Sequence, residues 1–563
     1  MRPTTNEPDT DSDDLTAEFL AGLATTAGLL LFAPVVLAWH AAGLAAEHPR
    51  MWRWHISAHW SRHLVGIAGV ALALTGLVVV VSGPTPAAKA IGLCGVCAGL
   101  SLAVTVPVLR WRMSHWATVL HNGRVRPERA DLIRHAMWVG AGDAAWERRR
   151  SAPPQAIGCL YHLDRRDWLT RWRDSRGKEV TSHWRRAPDF LTLDTDPYRA
   201  VVLAESGAGK TNLLLSLVRQ TLRQDGSAVF VNAKGDTDTR DDLHSLAASL
   251  GLPCREWRVG ASCPAPFDAW RGDSDAIITK LGALFGGNPA DPGDTANFYR
   301  QEAQAVLRVL ASTRTQPWTS AAQVLNDAQE AARRPGRFGL GKRQAERTYE
   351  DLLRVLGGQG KAIDGGRNSW CWEDLITGPG LTIVQVEPSN QNSIQAVVLM
   401  LTDLDQMKHG QRATHARSQT SQAGPRLLVM DEAAVLLNNP TTPPIAALYE
   451  QLRSAGLSVV LAAQSVAGLG DTQQGRLLDA GAVYFIGRLR SPEDITSRIG
   501  TRKRAEYAHN GGDFTDGGGS AREQDGWLLD PQHIRSLRNG HWAISEYGGK
   551  GAYFAATRDP DKT

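Results

Sequence analysis

A short apolar run, Ala200 to Leu203, leads into the octapeptide Ala204-Glu205-Ser206-Gly207-Ala208-Gly209-Lys210-Thr211. Apolar residues then recur at helical spacing from Asn212 to Arg219. A strand, a glycine-rich loop ending in Lys-Thr, and a helix form the local context that a phosphate-binding loop requires. Its glycines let backbone N–H groups turn inward on phosphate oxygens, and the positive end of the following helix favours the same anion. By this reading residues Ala204 to Thr211 bind the phosphates of ATP. Lys210 reaches the β- and γ-phosphates, and the Thr211 hydroxyl ligates Mg²⁺. Ala204 stands where glycine is more usual, which leaves the cradle intact.

A second site lies far downstream. Leu427-Leu428-Val429-Met430 is a buried-strand pattern ending in Asp431 and Glu432. Asp431 is expected to hold Mg²⁺ through water, and Glu432 to orient and deprotonate an attacking water. A third strand, Leu457 to Ala463, ends in Gln464, a polar tip suited to sensing a γ-phosphate. With Ala228–Val231, Leu381–Val386 and Val483–Ile486, these apolar runs alternate with helical segments. The pattern predicts an α/β fold with a mainly parallel sheet covered on both faces, its nucleotide at the C-terminal ends of the strands.

The N-terminal fifth is of different character. Phe19–Ala38, Leu64–Ser82 and Ala90–Leu109 carry no charged residue, and each has the length of a membrane-crossing helix. Trp39, Trp52, Trp54, Trp60, Trp111 and Trp116 flank them, where indole rings favour the membrane–water interface. The segment before Phe19 is acidic, which argues against a cleaved export signal. Arg50, Arg53 and Arg62 precede the second window, and Arg110 and Arg112 follow the third. Basic residues stay on the cytoplasmic side. Two or three membrane spans are therefore expected, with the bulk of the chain cytoplasmic. Cys94 and Cys97 form a CxxC inside the third window, without histidine partners, and read as small packing residues.

From Arg110 to Asp189 there are 17 Arg or Lys against 9 Asp or Glu. This basic segment suits anionic lipid headgroups, or nucleic acid by way of Arg with interleaved Trp. Over all 563 residues the chain is bland, 42% hydrophobic and 21% charged with a net charge of +4. Those values exclude a disordered chain, a collagen-like fibre and a disulfide scaffold.

The order AESGAGKT, then VFVNAKGD from Val229 to Asp236, then LLVMDEA, then LYEQLRSAGLSVVLAAQS from Leu448 to Ser465 resembles the type IV secretion coupling proteins. These are the TraG/TraD-like membrane ATPases of conjugation, related to the FtsK and HerA DNA pumps. The resemblance spans roughly Ala200 to Ala556. It departs at Asn232-Ala233, where Asp-Pro is commoner before Lys-Gly, and this leaves Lys234 without an assigned role. The resemblance implies a RecA-like P-loop NTPase motor with an inserted all-α domain, preceded by N-terminal transmembrane helices. It also implies a homo-hexamer with an arginine entering the ATP site from a neighbouring subunit. Arg453, eleven residues ahead of Gln464, matches that setting, with Arg488 and Arg498 as rivals.

Four segments between the Trp270 region and Trp372 have helical spacing: Asp275–Phe285, Asp294–Ala311, Ser320–Arg334 and Gln344–Leu356. They match the place of the family's all-α domain, which implies docking of DNA-processing cargo. Arg502-Lys503-Arg504 and the glycine-rich stretch Asn510–Ser520 suggest a mobile basic loop suited to tracking a DNA backbone. The expected division is an acidic tail (1–18), a transmembrane region (19–109), a basic juxtamembrane segment (110–199), the motor's first part (200–270), the all-α insertion (271–372) and the motor's second part (373–563). The expected function is membrane-anchored, ATP-driven transfer of DNA, single-stranded with an attached relaxase, to the channel components of a type IV secretion system. A double-stranded DNA translocase of the FtsK kind is an alternative. A protein-export ATPase, or a cargo-docking receptor that uses ATP as a switch, is another.

Overall fold

The computed structural model describes residues 35–36, 39–41, 43–57, 60–121, 127–151, 156–161, 190–191, 197–260, 262–285, 295–359, 361–366, 368–409, 424–438, 445–471, 473–480, 483–509, 519–545 and 552–557. The chain divides into two compact units. The first comprises Met1–Arg148, Tyr161–Ala187 and Lys503–Gln524. The second comprises Arg149–Leu160, Pro188–Arg502 and Asp525–Thr563.

In the first unit, helices α1 (Pro49–Ser57), α2 (Trp60–Ser82), α3 (Pro86–His121) and α4 (Pro127–Arg148) follow one another. The second and third sequence windows fall in α2 and α3, which pack on each other through glycine. A Cβ added at Gly76 would lie 2.5 Å from the Val96 amide nitrogen, and one at Gly99 would lie 2.4 Å from that of Ala73. Such close backbone approach is how small residues join helices when no hydrophobic force is available between them. The outward faces are the reverse of a soluble protein's: Leu74, Val78, Val81, Ile91 and Leu93 are all exposed.

Among the described residues, one helix is long and apolar enough to cross a membrane, the 28-residue stretch Pro86–Met113. In α2 the apolar stretch among the described residues, Ile67–Ser82, is shorter than that. Nearly all of the first window lies outside the described residues. The multi-pass arrangement expected from the windows is therefore not supported. Trp52 also departs from its expected place at a membrane interface. It is 1% exposed, donates from its indole nitrogen to the Ala46 carbonyl at 2.8 Å, and packs with Met113, Ile133 and Ala136.

The second unit is built on one eleven-stranded sheet. Its strands are β1 (Gly158–Leu160), β2 (Phe190–Leu191), β3 (Arg199–Leu203), β4 (Ser227–Asn232), β5 (Cys254–Arg258), β6 (Gly380–Gln385), β7 (Arg426–Asp431), β8 (Ser458–Ala463), β9 (Val483–Ile486), β12 (His541–Ser545) and β13 (Ala552–Thr557). In space the order is β2-β1-β13-β12-β9-β3-β8-β7-β4-β6-β5. The seven strands from β9 to β5 are parallel, as the alternation of apolar runs and helices predicts. The remaining four extend the sheet antiparallel beyond β9. The sheet is thus mainly parallel, as expected, with an antiparallel flank in which β12 and β13 are consecutive in the chain and pair without a helical crossover. Two further strands, β10 (Thr501–His509) and β11 (Gly519–Trp527), pair with each other in a separate two-stranded sheet. Arg502, Lys503 and Arg504 therefore lie on a strand rather than in a loop. Residues 510–518 of the glycine-rich stretch fall outside the described residues.

Helix α5 (Lys210–Arg223) follows β3 and buries Leu213, Leu214, Leu217 and Val218 against the sheet. Helix α6 (Thr237–Ser249) follows β4. Between β5 and β6 come α7 (Ser274–Gly282), α8 (Thr295–Ser312), α9 (Ala321–Arg333) and α10 (Lys342–Gln359), and these belong to the same compact unit as the sheet. Much of the tryptophan excess is spent in its core. Trp257, Trp318, Trp370, Trp372 and Trp542 are fully buried, with the Trp370 ring 4.9 Å from that of Phe267. Helix α11 (Gln391–His409) lies against α7, where Lys280 Nζ meets Asp403 Oδ1 at 2.9 Å, both side chains almost wholly buried.

Candidate functional site: a loop and two carboxylates at the strand tips

The site is built on the register of three adjacent parallel strands. Leu203 pairs with Ala463, and Met430 with Leu461, so β3, β8 and β7 end side by side. At these three tips stand the features that the sequence marks: the glycine-rich loop, Gln464 and the Asp431-Glu432 pair.

The loop is held by backbone bonds on both flanks. The Ala204 amide donates to the Ala463 carbonyl at 3.2 Å, and the Glu205 amide to the Arg488 carbonyl at 3.0 Å. Ser206 and Gly207 form its exposed tip. Gly207 and Gly209 have φ of 77° and 97°, the left-handed region that residues with a Cβ avoid. Gly209 is also the N-cap of α5, with no side-chain cap, so the first amides of the helix are left to an anion. The Gly540 amide braces the loop from outside by donating to the Ala208 carbonyl at 2.9 Å.

Lys210 is 9% exposed, and its Nζ donates no hydrogen bond. It lies 3.5 Å from Glu432 Oε2. Gln464 Nε2 donates to the same Oε2 at 3.1 Å. Glu432 has φ of 52°, a strained conformation for a residue with a side chain and one that clusters at functional sites. Asp431 is 2% exposed and accepts from the Glu432 amide at 2.9 Å. Burial pushes the Asp431 carboxyl above the usual carboxylate range, while Lys210 pulls it back. Thr211, half-buried, opens the first turn of α5 beside Lys210. The orphaned ammonium, the open helix N-terminus and the left-handed glycines fit the phosphates of a nucleotide. The Thr211 hydroxyl and the Asp431 carboxylate are the oxygen donors that Mg²⁺ prefers.

The three arginines separate. Arg453 is exposed in the turn ahead of β8, at the opposite end of that strand from Gln464. A six-residue strand puts about 20 Å between them, so Arg453 stands away from its own chain's site. Arg488 follows β9 and lies 3.8 Å from Glu205 Oε2, beside its own loop, with Arg490 3.5 Å from Oε1. Arg498 pairs with Asp479 at 2.9 Å.

A group of polar residues at the neighbouring strand ends was missed in the sequence. Asn232 ends β4 in register with Asp431 on β7 and with Gln385 on β6. Its Nδ2 donates to Gln385 Oε1 at 3.0 Å, the Asp236 carbonyl at 2.9 Å and Asp236 Oδ1 at 3.1 Å. Lys234 Nζ donates to Asp236 Oδ2 at 2.7 Å, and Thr239 Oγ1 does so at 3.0 Å. Although burial pushes the Asp236 carboxyl up, these donors hold it below its ordinary value, and the same ion pair raises Lys234. The signal was present: an Asn closing an otherwise apolar strand, as Asp431 closes β7. Only the pairing of β4 with β7 gives it meaning. Among the described residues no cluster of His, Cys, Asp and Glu forms a separate metal site, and none of the six cysteines is in a disulfide.

The fold is thus a mixed α/β sheet with a glycine-rich loop and two carboxylates at the C-terminal ends of adjacent strands. No family model matches the chain. An uncharacterized protein of Mycoplasma pneumoniae is 43% identical over 49 residues, 9% of this chain, and the chain spans about two fifths of that protein's length. Similar solved structures include the bacterial conjugative coupling protein TrwBdeltaN70 in an unbound form, at 16% identity over 70% of this chain and 92% of that one, with a TM-score of 0.49. The plasmid coupling protein TrwB in complex with ADP and Mg²⁺ is similar at 17% identity over 69% and 91%, with a TM-score of 0.46. VirB4 of Thermoanaerobacter pseudethanolicus is similar at 14% over 67% and 96%, with a TM-score of 0.44. Function is therefore read from the geometry of the site itself.

Proposed function

We propose that the chain is an ATPase of the conjugative coupling kind, which binds ATP with Mg²⁺ and spends hydrolysis on moving DNA. One observation carries the reading: Lys210, Asp431, Glu432 and Gln464 converge at the ends of three adjacent parallel strands. The amides of the loop and Lys210 hold the phosphates, while Thr211 and Asp431 hold the metal. Held by these two residues, Mg²⁺ would neutralise charge on the phosphate oxygens. Glu432 orients the attacking water and takes its proton on a side-chain oxygen, and Gln464, bonded to that carboxylate, couples its position to the γ-phosphate.

The helical segment α7 to α10 between β5 and β6 favours conjugative DNA transfer over a double-stranded DNA pump. Those helices are proposed to dock the cargo, DNA with its relaxase, for delivery to the type IV secretion channel. The apolar faces of α2 and α3 support anchoring in a membrane. Arg453, remote from its own site, is proposed to serve a neighbouring subunit's site in a hexamer. The test is ATP hydrolysis by the full chain in detergent, with and without single- and double-stranded DNA, beside Glu432→Gln. Hydrolysis stimulated by DNA and abolished in Glu432→Gln is expected. Full activity in Glu432→Gln would sink the assignment, and slow hydrolysis indifferent to DNA would favour the receptor alternative.

A further inference from the structure

The amide of Asn232 is held in one orientation by its own hydrogen bonds. Nδ2 has three acceptors, namely Gln385 Oε1, the Asp236 carbonyl and Asp236 Oδ1. Rotating the amide by 180° would set an oxygen against three oxygens, so the flip is closed. Gln385 lies on the β6 side of β4. The amide therefore turns Oδ1 away from β6, to the side where Asp431 stands in register on β7. Register partners on neighbouring strands lie about 4.8 Å apart and share a face. The backbone fixes this spacing further, since the Ala233 amide donates to the Asp431 carbonyl at 3.2 Å.

Asn232 is 0% exposed, and its Oδ1 is buried and accepts no hydrogen bond. A buried acceptor without a donor is costly to keep. Here the neighbour on that side is a buried carboxylate, itself an acceptor. Two buried acceptors at adjacent strand ends call for something that attracts both, such as a water polarised by a cation.

We propose that Asn232 Oδ1 is an outer ligand, through water, of the metal ion that Asp431 holds. The inference rests on the Mg²⁺–nucleotide reading of the site and adds a residue to it. Asn232 then explains its own burial: Gln385 and Asp236 aim its oxygen, and the metal-bound water satisfies it. Outer partners of this kind typically carry 10–100-fold in metal affinity.

The test measures binding of fluorescent ADP to the full chain in detergent, without turnover, as MgCl₂ is raised from zero. Wild type is expected to bind ADP weakly without metal and more tightly as Mg²⁺ is added. Asn232→Ala should leave metal-free ADP binding unchanged and raise the Mg²⁺ concentration for half of the tightening about tenfold or more. Gln385→Ala removes a partner of the clamp but keeps the oxygen, and should move that midpoint less than threefold. Mn²⁺ titrated in place of Mg²⁺ and followed by electron paramagnetic resonance should give the same ranking. If Asn232→Ala fails to bind metal-free ADP, Asn232→Leu, of similar volume and without an acceptor, takes its place. An unchanged Mg²⁺ midpoint in the Asn232 variant, or an equal shift in Gln385→Ala, would overturn the proposal and leave Asn232 a structural clamp. Failure of wild type to bind ADP at any Mg²⁺ concentration would instead overturn the nucleotide reading beneath it.

Discussion

Replacing Lys210 by alanine tests the site most directly. The ammonium is almost wholly buried, 3.5 Å from Glu432 Oε2, and donates no hydrogen bond within the protein. Its charge-assisted bonds are thus available to phosphate oxygens, each worth about 1.5–3 kcal/mol. Loss of one such bond weakens nucleotide binding about 10- to 150-fold. A second effect arises in the protein alone. Lys210 is the cation that offsets the burial of Asp431, so its removal lets the Asp431 carboxyl rise further. For an acid raised above its unfolded value, the stabilising contribution is present at low pH and is lost as pH rises through the folded value. Lys210→Ala should therefore be less stable than wild type at neutral pH and recover relative to it on mild acidification. The assay is titration of the full chain in detergent with a fluorescent ATP analogue and Mg²⁺, with thermal unfolding followed alongside. ATP affinity within twofold of wild type in a folded variant would refute the phosphate role of Lys210.

Three further outcomes are expected. Burial, reinforced by Arg538 and Arg149, pushes His541 down to about 4. An imidazole depressed in the fold contributes stability above its unfolded value, so thermal stability should hold above about pH 6.5 and fall towards pH 4 by up to about 3 kcal/mol, and His541→Phe should flatten that slope. Lys280→Met removes the ammonium that lies 2.9 Å from the buried Asp403 carboxylate and should cost about 3–5 kcal/mol, whereas the double change Lys280→Met with Asp403→Leu should unfold in urea closer to wild type. Gly76→Leu would force a side chain onto the backbone of α3 at Val96, and should make the α2–α3 pair of the detergent-solubilised chain more open to limited proteolysis while metal-free ADP binding stays unchanged.

The features legible in the chain alone are those set by local physics. The phosphate loop was legible because its glycines, lysine and flanking strand and helix are contiguous. The parallel strands were legible because strands buried on both faces are apolar throughout, as in Leu427–Met430. The helices from α7 to α10 showed in their three- and four-residue spacing. Trp52 could not be placed from the sequence, because an indole beside an apolar window looks the same whether it meets lipid or other helices. The side-chain link of Asn232 to Gln385 was not legible for a related reason: each is a single amide at the end of an apolar strand, and only the pairing of β4 with β6 brings them together.

The sequence by itself determined six of the parallel strands, the helices from α7 to α10 and the place of the glycine-rich loop, since periodicity and glycine placement act within a few residues. Tertiary structure alone decided that Lys210, Asp431, Glu432 and Gln464 meet, that Arg488 lies beside its own loop while Arg453 stands at the far end of β8, and that Asn232 stands in register with Asp431. Those facts depend on strand order and register, which pair residues some 200 positions apart. The physical reason is that a sheet edge is chosen by the burial of whole faces, and no local preference of the chain encodes that choice.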